Sequence, residues 1–211
     1  MGFSRRALRL TDGIGFHKLF GTGTGEGFDP LPNTAVYAIM AVWPSEAVAR
    51  RQTTTAPVFC RYRRRAAESW TVFLSPTHSR GRWDGGDPFV VQPRREGPIA
   101  VLTRASVKPR HLLRFWRNVP DINGAIRAQD HLLFKIGMGE IPWLHQVTFS
   151  IWDDRRAMCA FARSGAHGAA VHGVRQGGWF SEELYAHFAV AGHDRGTWEG
   201  RCPLPGLTEQ A

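Results

Sequence analysis

The sequence predicts an α+β fold: tandem ferredoxin-like repeats forming a dimeric-α+β-barrel-like arrangement, with the first strand of repeat 1 missing. Three observations carry this. FKIGMGEIPWLHQVTFSIW, from Phe134 to Trp152, reads as two strands, Leu132 to Gly137 and His145 to Trp152, joined by a glycine-containing turn. A similar pattern stands near the N-terminus, where HKLFGTGTGE (His17 to Glu26) precedes a strand, TAVYAIMAVW, that closes on Trp43. Finally, Trp43 and Trp152 are each followed by a helix start, PSEAVARR and DDRRAMCAF. In the strand ending at Trp152, Val147, Phe149 and Ile151 alternate with Gln146, Thr148 and Ser150, the period of a half-buried strand.

Ser4 to Leu10 reads as the last turns of a helix, ended by Asp12-Gly13. Strand Ile14 to Gly21, the glycine-rich GTGTGEG and strand Thr34 to Trp43 follow. Ser45 then caps a helix, and Pro57 opens another, its missing N–H costing nothing at a first helical turn. Strand Ser69 to Leu74 closes the first repeat, residues 1–75. The Gly-, Pro- and charge-rich stretch 76–97 reads as a linker. The second repeat, 98–191, runs through strand Ile99 to Ala105, helix Pro109 to Asn118 with Leu112, Leu113 and Trp116 on one face, the central hairpin, helix Asp153 to Arg163, helix His167 to about Arg175 and strand Glu183 to Val190. Residues 192–211 form a tail. The second repeat thus has the order β-α-β-β-α-β, and the first has the same order without its opening strand. Either the start at Met1 is misplaced or an edge strand has been lost.

Composition narrows the function. Hydrophobic residues make up 43% of the 211 residues, with eight tryptophans, which excludes a disordered chain. Cys60, Cys159 and Cys202 form no Cys-x-x-Cys, so neither a disulfide framework nor a zinc site is expected, and a reducing cytoplasm fits. The longest apolar run, Ala35 to Trp43, is about half of what a membrane-crossing helix needs. The net charge of +9 is mostly arginine, densest in RYRRRAAE (Arg61 to Glu68) and between Arg104 and Arg117. Nucleic acid or an anionic membrane surface would attract such a face, and a solvated helix face is the plainer reading. No nucleic-acid motif accompanies it, so nucleic acid is not expected as a partner.

Candidate chemistry is sparse. GTGTGEG puts Glu26 where a dinucleotide loop needs its third glycine, and no helix follows, so these are turn glycines. No Gly-x-Ser-x-Gly or His-Glu-x-x-His occurs. Glu26 and Glu140 occupy matching places in the two repeats, as an acid pair or, more simply, as turn residues. Among nine histidines, His78, His111 and His193 are expected in solvent, and His17, His131 and His187 in or beside strands. His145 begins the central strand beside Trp143, where it can line a chamber. His167 opens a helix among small residues (Gly165, Ala166, Gly168, Ala169), leaving room for a flat macrocycle; His172 lies further along. In the first repeat Val58, after Pro57, holds the place of His167.

Four stretches resemble the spheroidene monooxygenase family of carotenoid biosynthesis: FHKLFGTGTGEGFDPLPNTAVYAIMAVW, APVFCRYRRRAAESWTVFLSPTHSRGRWDG, FKIGMGEIPWLHQVTFSIW and GGWFSEELYAHF. The resemblance covers about Ile14 to Pro203. It implies a haem-dependent oxygenase that introduces a keto group at C-2 of acyclic carotenoids such as spheroidene, using O2 and electrons from reduced ferredoxin. It further implies one non-covalent haem b, whose iron is held by His167 as the metal-ligating and catalytic residue, with His145 and His172 in reserve and Trp143 among the cofactor-binding residues. The family-like Gly-x-His at 165–167 precedes GGWF, as that assignment requires. An apolar slot for the polyene would draw on Trp43, Phe73, Trp143, Phe149 and Trp152. Expected partners are the carotenoid and a ferredoxin-type donor, with peripheral membrane contact and homo-oligomer formation as open expectations. Two alternatives stand beside this: a non-catalytic haem or apolar-ligand binding protein, and a cofactor-free α+β-barrel monooxygenase acting on a small aromatic.

Overall fold

The computed structural model of the chain describes residues 2–24, 26–27, 29–93, 96–127, 129–163 and 177–207. In order they form α1 (Gly2–Arg9), β1 (His17–Gly23), β2 (Pro32–Ala41), α2 (Glu46–Thr55), α3 (Pro57–Arg65), β3 (Val72–Gly81) and β4 (Ile99–Val107). A 3-10 turn (Pro109–His111) then leads into α4 (Leu112–Arg127), followed by β5 (Leu132–Ile141), β6 (His145–Trp152), α5 (Arg155–Arg163) and β7 (Phe180–His193). The strands share one hydrogen-bonded sheet in the order β2-β1-β5-β6-β4-β7-β3. The second repeat has the expected β-α-β-β-α-β order, and its strands lie as β5-β6-β4-β7, the ferredoxin-like arrangement. The first repeat supplies β1, β2, α2, α3 and β3, and no strand precedes β1 among the described residues. The expected helix from His167 to about Arg175 lies outside the described residues.

Several boundaries differ from the sequence reading; β7, for one, runs from Phe180 to His193, past the expected Glu183 to Val190 and into the segment read as a tail. β3 runs on to Gly81, through Pro76 and into the stretch read as a linker. It is an edge strand, where a proline's missing N–H leaves no ladder bond unmade. The central hairpin turns at 142–144, and Gly137 and Gly139 lie inside β5 instead. Trp143, with φ +63, takes the left-handed position in that turn. α4 continues across Pro120, although that ring removes one helical hydrogen bond.

The chain divides into two compact units, a smaller one of Met1–Leu19, Ile39–Ser75 and Val190–Ala211, and a larger one of Phe20–Ala38 and Pro76–Ala189. In the smaller unit α2 begins as the sequence predicts: the Ser45 hydroxyl accepts the Val48 N–H at 3.3 Å, and Glu46 pairs with Arg50 one turn on. Such a cap contributes about 1 kcal/mol. The end of α2 is closed from α3, where the Arg63 guanidinium donates to the carbonyls of Thr53 and Thr54. A cation there also complements the helix dipole. His193, expected in solvent, is buried, with its ring nitrogens facing the carbonyl oxygens of Asp194 and Leu207.

In the larger unit the alternation read from β6 is realised. Val147, Phe149 and Ile151 are buried, and their ladder partners on β4 are Arg104, Leu102 and Ala100, also buried. Leu184, Ala186 and Phe188 of β7 continue the same face. Each large aliphatic or aromatic side chain removed from water there contributes about 1.5–3 kcal/mol. On the opposite face Ile99 and Trp152 pack with Met158 of α5.

Candidate functional site

One member of the buried face is charged. Arg104, at the centre of β4, is 1% exposed, so it is not part of the basic surface its sequence position suggested. Its Nη1 donates to a carboxylate oxygen of Glu182 on β7, and its Nε to Glu140 on β5 at 3.4 Å. Glu140 also accepts the indole N–H of Trp83 at 2.9 Å, and the Arg104 guanidinium lies over the Trp83 ring. The Trp83 side chain is set inward by a tight turn, in which Asp84 (φ +55) and Gly85 (φ +85) reverse the chain and the Trp83 N–H meets the Gly86 carbonyl. Glu182 closes the ring by accepting the backbone N–H groups of Asp84 and Gly85. Four distant stretches are thereby fixed in one cycle: the 83–85 turn, Arg104, Glu140 and Glu182.

This arrangement sets the charge state of Glu182. Partial burial alone would push its carboxyl up. The Gly85 amide, the Arg104 charge and the Asp84 amide outweigh that and hold it below the usual carboxylate range. A hollow of about 420 Å³ opens beside Glu182, with Arg82, Trp179 and Phe180 also in its wall. Sequence reasoning singled out Glu140 but missed Arg104, Trp83 and Glu182. A lone arginine inside the apolar strand IAVLTRASV was the available signal.

Glu26 does not join Glu140. Its carboxylate instead pairs with the buried Lys135 Nζ at 2.9 Å, and its carbonyl accepts the Gly137 N–H. The two matching glutamates thus each meet a buried cation; Glu26 stands in a turn as read, whereas Glu140 lies inside β5 and not in a turn. Trp143 is 52% exposed; its indole N–H donates to the Pro30 carbonyl at 3.0 Å, and its own carbonyl accepts the indole N–H of Trp116. His145 is half-buried at the start of β6, opposite Ser106 and Ile141. His167 and His172 lie outside the described residues. Of the five aromatic slot candidates, Trp43 and Phe73 belong to the smaller unit and Trp143, Phe149 and Trp152 to the larger. His78 and His187 have ring centroids 5.3 Å apart, and burial, aided by the neighbouring His78 and Arg155, holds His187 below the usual histidine range. His111 stacks on Trp179.

Among the described residues no group of three or more His, Cys, Asp or Glu is placed to hold a bare metal ion. No helix there is long and apolar enough to cross a membrane.

The chain is 47% identical over 209 residues to the spheroidene monooxygenase of Rhodobacter capsulatus, a match covering 97% of this chain and 86% of that one. It is 49% identical over 193 residues to the spheroidene monooxygenase of Cereibacter sphaeroides, covering 90% and 59% respectively. That of Rubrivivax gelatinosus is 34% identical over 95% of this chain and 79% of its own. No protein-family model matches. Among solved structures, an anthrone oxidase-like protein gives a TM-score of 0.37 at 12% identity, over 92% of this chain and 84% of that one, too distant a likeness to argue from. The class is therefore an oxygenase on an α+β fold. More particularly, the chain belongs to the spheroidene monooxygenase family.

Proposed function

We propose that the chain is a haem-dependent monooxygenase that introduces a keto group at C-2 of acyclic carotenoids such as spheroidene, with O2 as oxidant and a ferredoxin-type electron donor. The observation that carries this reading is the 34–49% identity to three spheroidene monooxygenases over 90–97% of this chain. The donor set fits a haem. A porphyrin supplies four nitrogens of its own, so a single neutral imidazole suffices where a bare ion would need a cluster. His145 is such a group within the described residues, where no hydrogen bond engages its ring; His167 and His172 are the other two that would serve. When bound, the haem supplies the activation of O2.

The overall change balances as two hydroxylations at one carbon. A CH2 group, two O2, four electrons and four protons give a gem-diol and two waters, and loss of a third water leaves the ketone. The chain's own share is to hold and orient an apolar substrate and to exclude water. The cycle around Arg104 fixes Glu182 in the wall of the hollow, where Trp179 and Phe180 supply aromatic lining. Purified protein should show a Soret band and, with reduced ferredoxin, convert spheroidene to a product carrying 18O from 18O2. A colourless protein that takes up no haemin would remove the cofactor from this reading, and a haem protein without turnover would be a carrier.

Donor docking gives a further expectation. Of the arginines on α3, Arg61 is engaged with Ser4 and Arg63 with the end of α2, whereas Arg64 and Arg65 are exposed. Arg64→Gln with Arg65→Gln should slow ferredoxin-driven turnover several-fold at low ionic strength and flatten its salt dependence, at about the cost expected for surface steering charges. Turnover with a small chemical reductant should stay the same. Equal losses with both reductants would place the effect in the fold instead.

A further inference from the structure

We infer that the larger unit carries a membrane-docking face, in which Leu31, Leu113 and Trp143 enter the interface of an anionic bilayer and the arginines of α4 rest on its headgroups. The 3-10 turn and α4 expose Arg110, Leu113, Arg114 and Arg117, spaced i, i+3, i+4 and i+7, which is a single helical stripe. Leu112, Phe115 and Trp116 are half-buried instead. The sequence pattern had placed Leu113 with that apolar set, yet it stands 79% exposed among the three guanidiniums. None of these guanidiniums is ion-paired with a carboxylate among the described residues. Arg110 meets His111, and Arg114 lies over Trp179.

The stripe does not stand alone. Trp116, one turn on from Leu113, donates its indole N–H to the Trp143 carbonyl, and Trp143 donates to the Pro30 carbonyl. Those two bonds hold the hairpin turn and the Pro30-Leu31 corner beside the helix. Trp143 is 52% exposed and Leu31 69% exposed, with Ile141 also in solvent. Bulky apolar groups this exposed, fixed in place and rimmed by cations of one sign, mark an interaction surface.

The chemistry selects a lipid surface. A half-exposed indole with an engaged N–H suits the headgroup boundary, where tryptophan is enriched. Each arginine at an anionic surface adds attraction that salt weakens, and shallow insertion of a few apolar side chains adds to it. An acidic protein would satisfy the arginines while leaving Leu31 and Leu113 without purpose. No carotenoid enters this inference, so its failure would leave the oxygenase reading untouched.

The full chain should co-sediment with phosphatidylglycerol-containing vesicles and only weakly with pure phosphatidylcholine, and rising salt should release it. Leu31→Asp with Leu113→Asp should weaken binding to the anionic vesicles by about tenfold or more, with an unchanged thermal midpoint. Arg110→Gln, Arg114→Gln and Arg117→Gln together should abolish the preference for anionic lipid. Unchanged binding by the double aspartate variant, or equal binding to both vesicle types, overturns the inference. So does a wild-type dimer on gel filtration that the aspartates disperse, because the face would then belong to a second copy.

Discussion

Arg104→Met should cost about 3 kcal/mol or more of folding stability and lower the melting temperature by about 10 °C. The side-chain volume is nearly retained, so the loss is electrostatic. Glu140 and Glu182 would keep their places in the larger unit without the cation that compensates them. Adding Glu140→Gln and Glu182→Gln should recover much of the loss, since neutral amides need no counter-charge. The pH dependence should change as well. Because the Glu182 carboxyl is held low in the folded protein, its contribution is present above its unfolded pKa and fades as pH falls through the folded value. Removing Arg104 takes away one of the causes of that depression, so the variant should lose less further stability on acidification than the wild type. Denaturant titrations at neutral and mildly acidic pH measure both effects. A loss under about 1 kcal/mol at neutral pH would show that the cycle is not what holds these stretches together.

His167→Ala should leave a folded protein that has lost its haem and its turnover. On the proposed ligand set, loss of the His167 imidazole should weaken haem retention by more than about 100-fold, the upper range for losing a mere outer partner of a ligand. Imidazole added in solution should restore part of the spectrum by taking the vacated position. His145→Ala and His172→Ala should keep an axially ligated haem. A wild-type Soret band in His167→Ala, together with its loss in either of the others, would move the ligand while leaving the oxygenase assignment in place.

Periodicity made part of this legible. β6 was readable because a strand with one buried face must alternate, and its register with β4 and β5 follows from that face. The α2 cap was readable because Ser45 serves residues directly beside it in sequence. Leu113 was misplaced because three apolar residues within five positions fit two helical stripes, and only packing chooses between them. β3 was cut short because Pro76 reads as a break unless the strand is known to lie at a sheet edge. The Arg104 cycle was hidden for a different reason. The hydrogen bonds that join its members span 36 to 98 positions, and no local pattern encodes a partner that distant.

The glycine-rich turn has a consequence for how the chain assembles. Gly27, at φ +88, lies so close to β5 that a Cβ would stand 1.8 Å from the Gly137 oxygen, and the neighbouring Glu26 carbonyl accepts the Gly137 N–H. The two segments meet across more than half the chain, so the loop that their meeting closes is costly in chain entropy. The β5–β6 hairpin needs only a short closure and is expected to form early. The turn can seat itself only on a β5 that already exists, and any side chain at position 27 would hold that last step open.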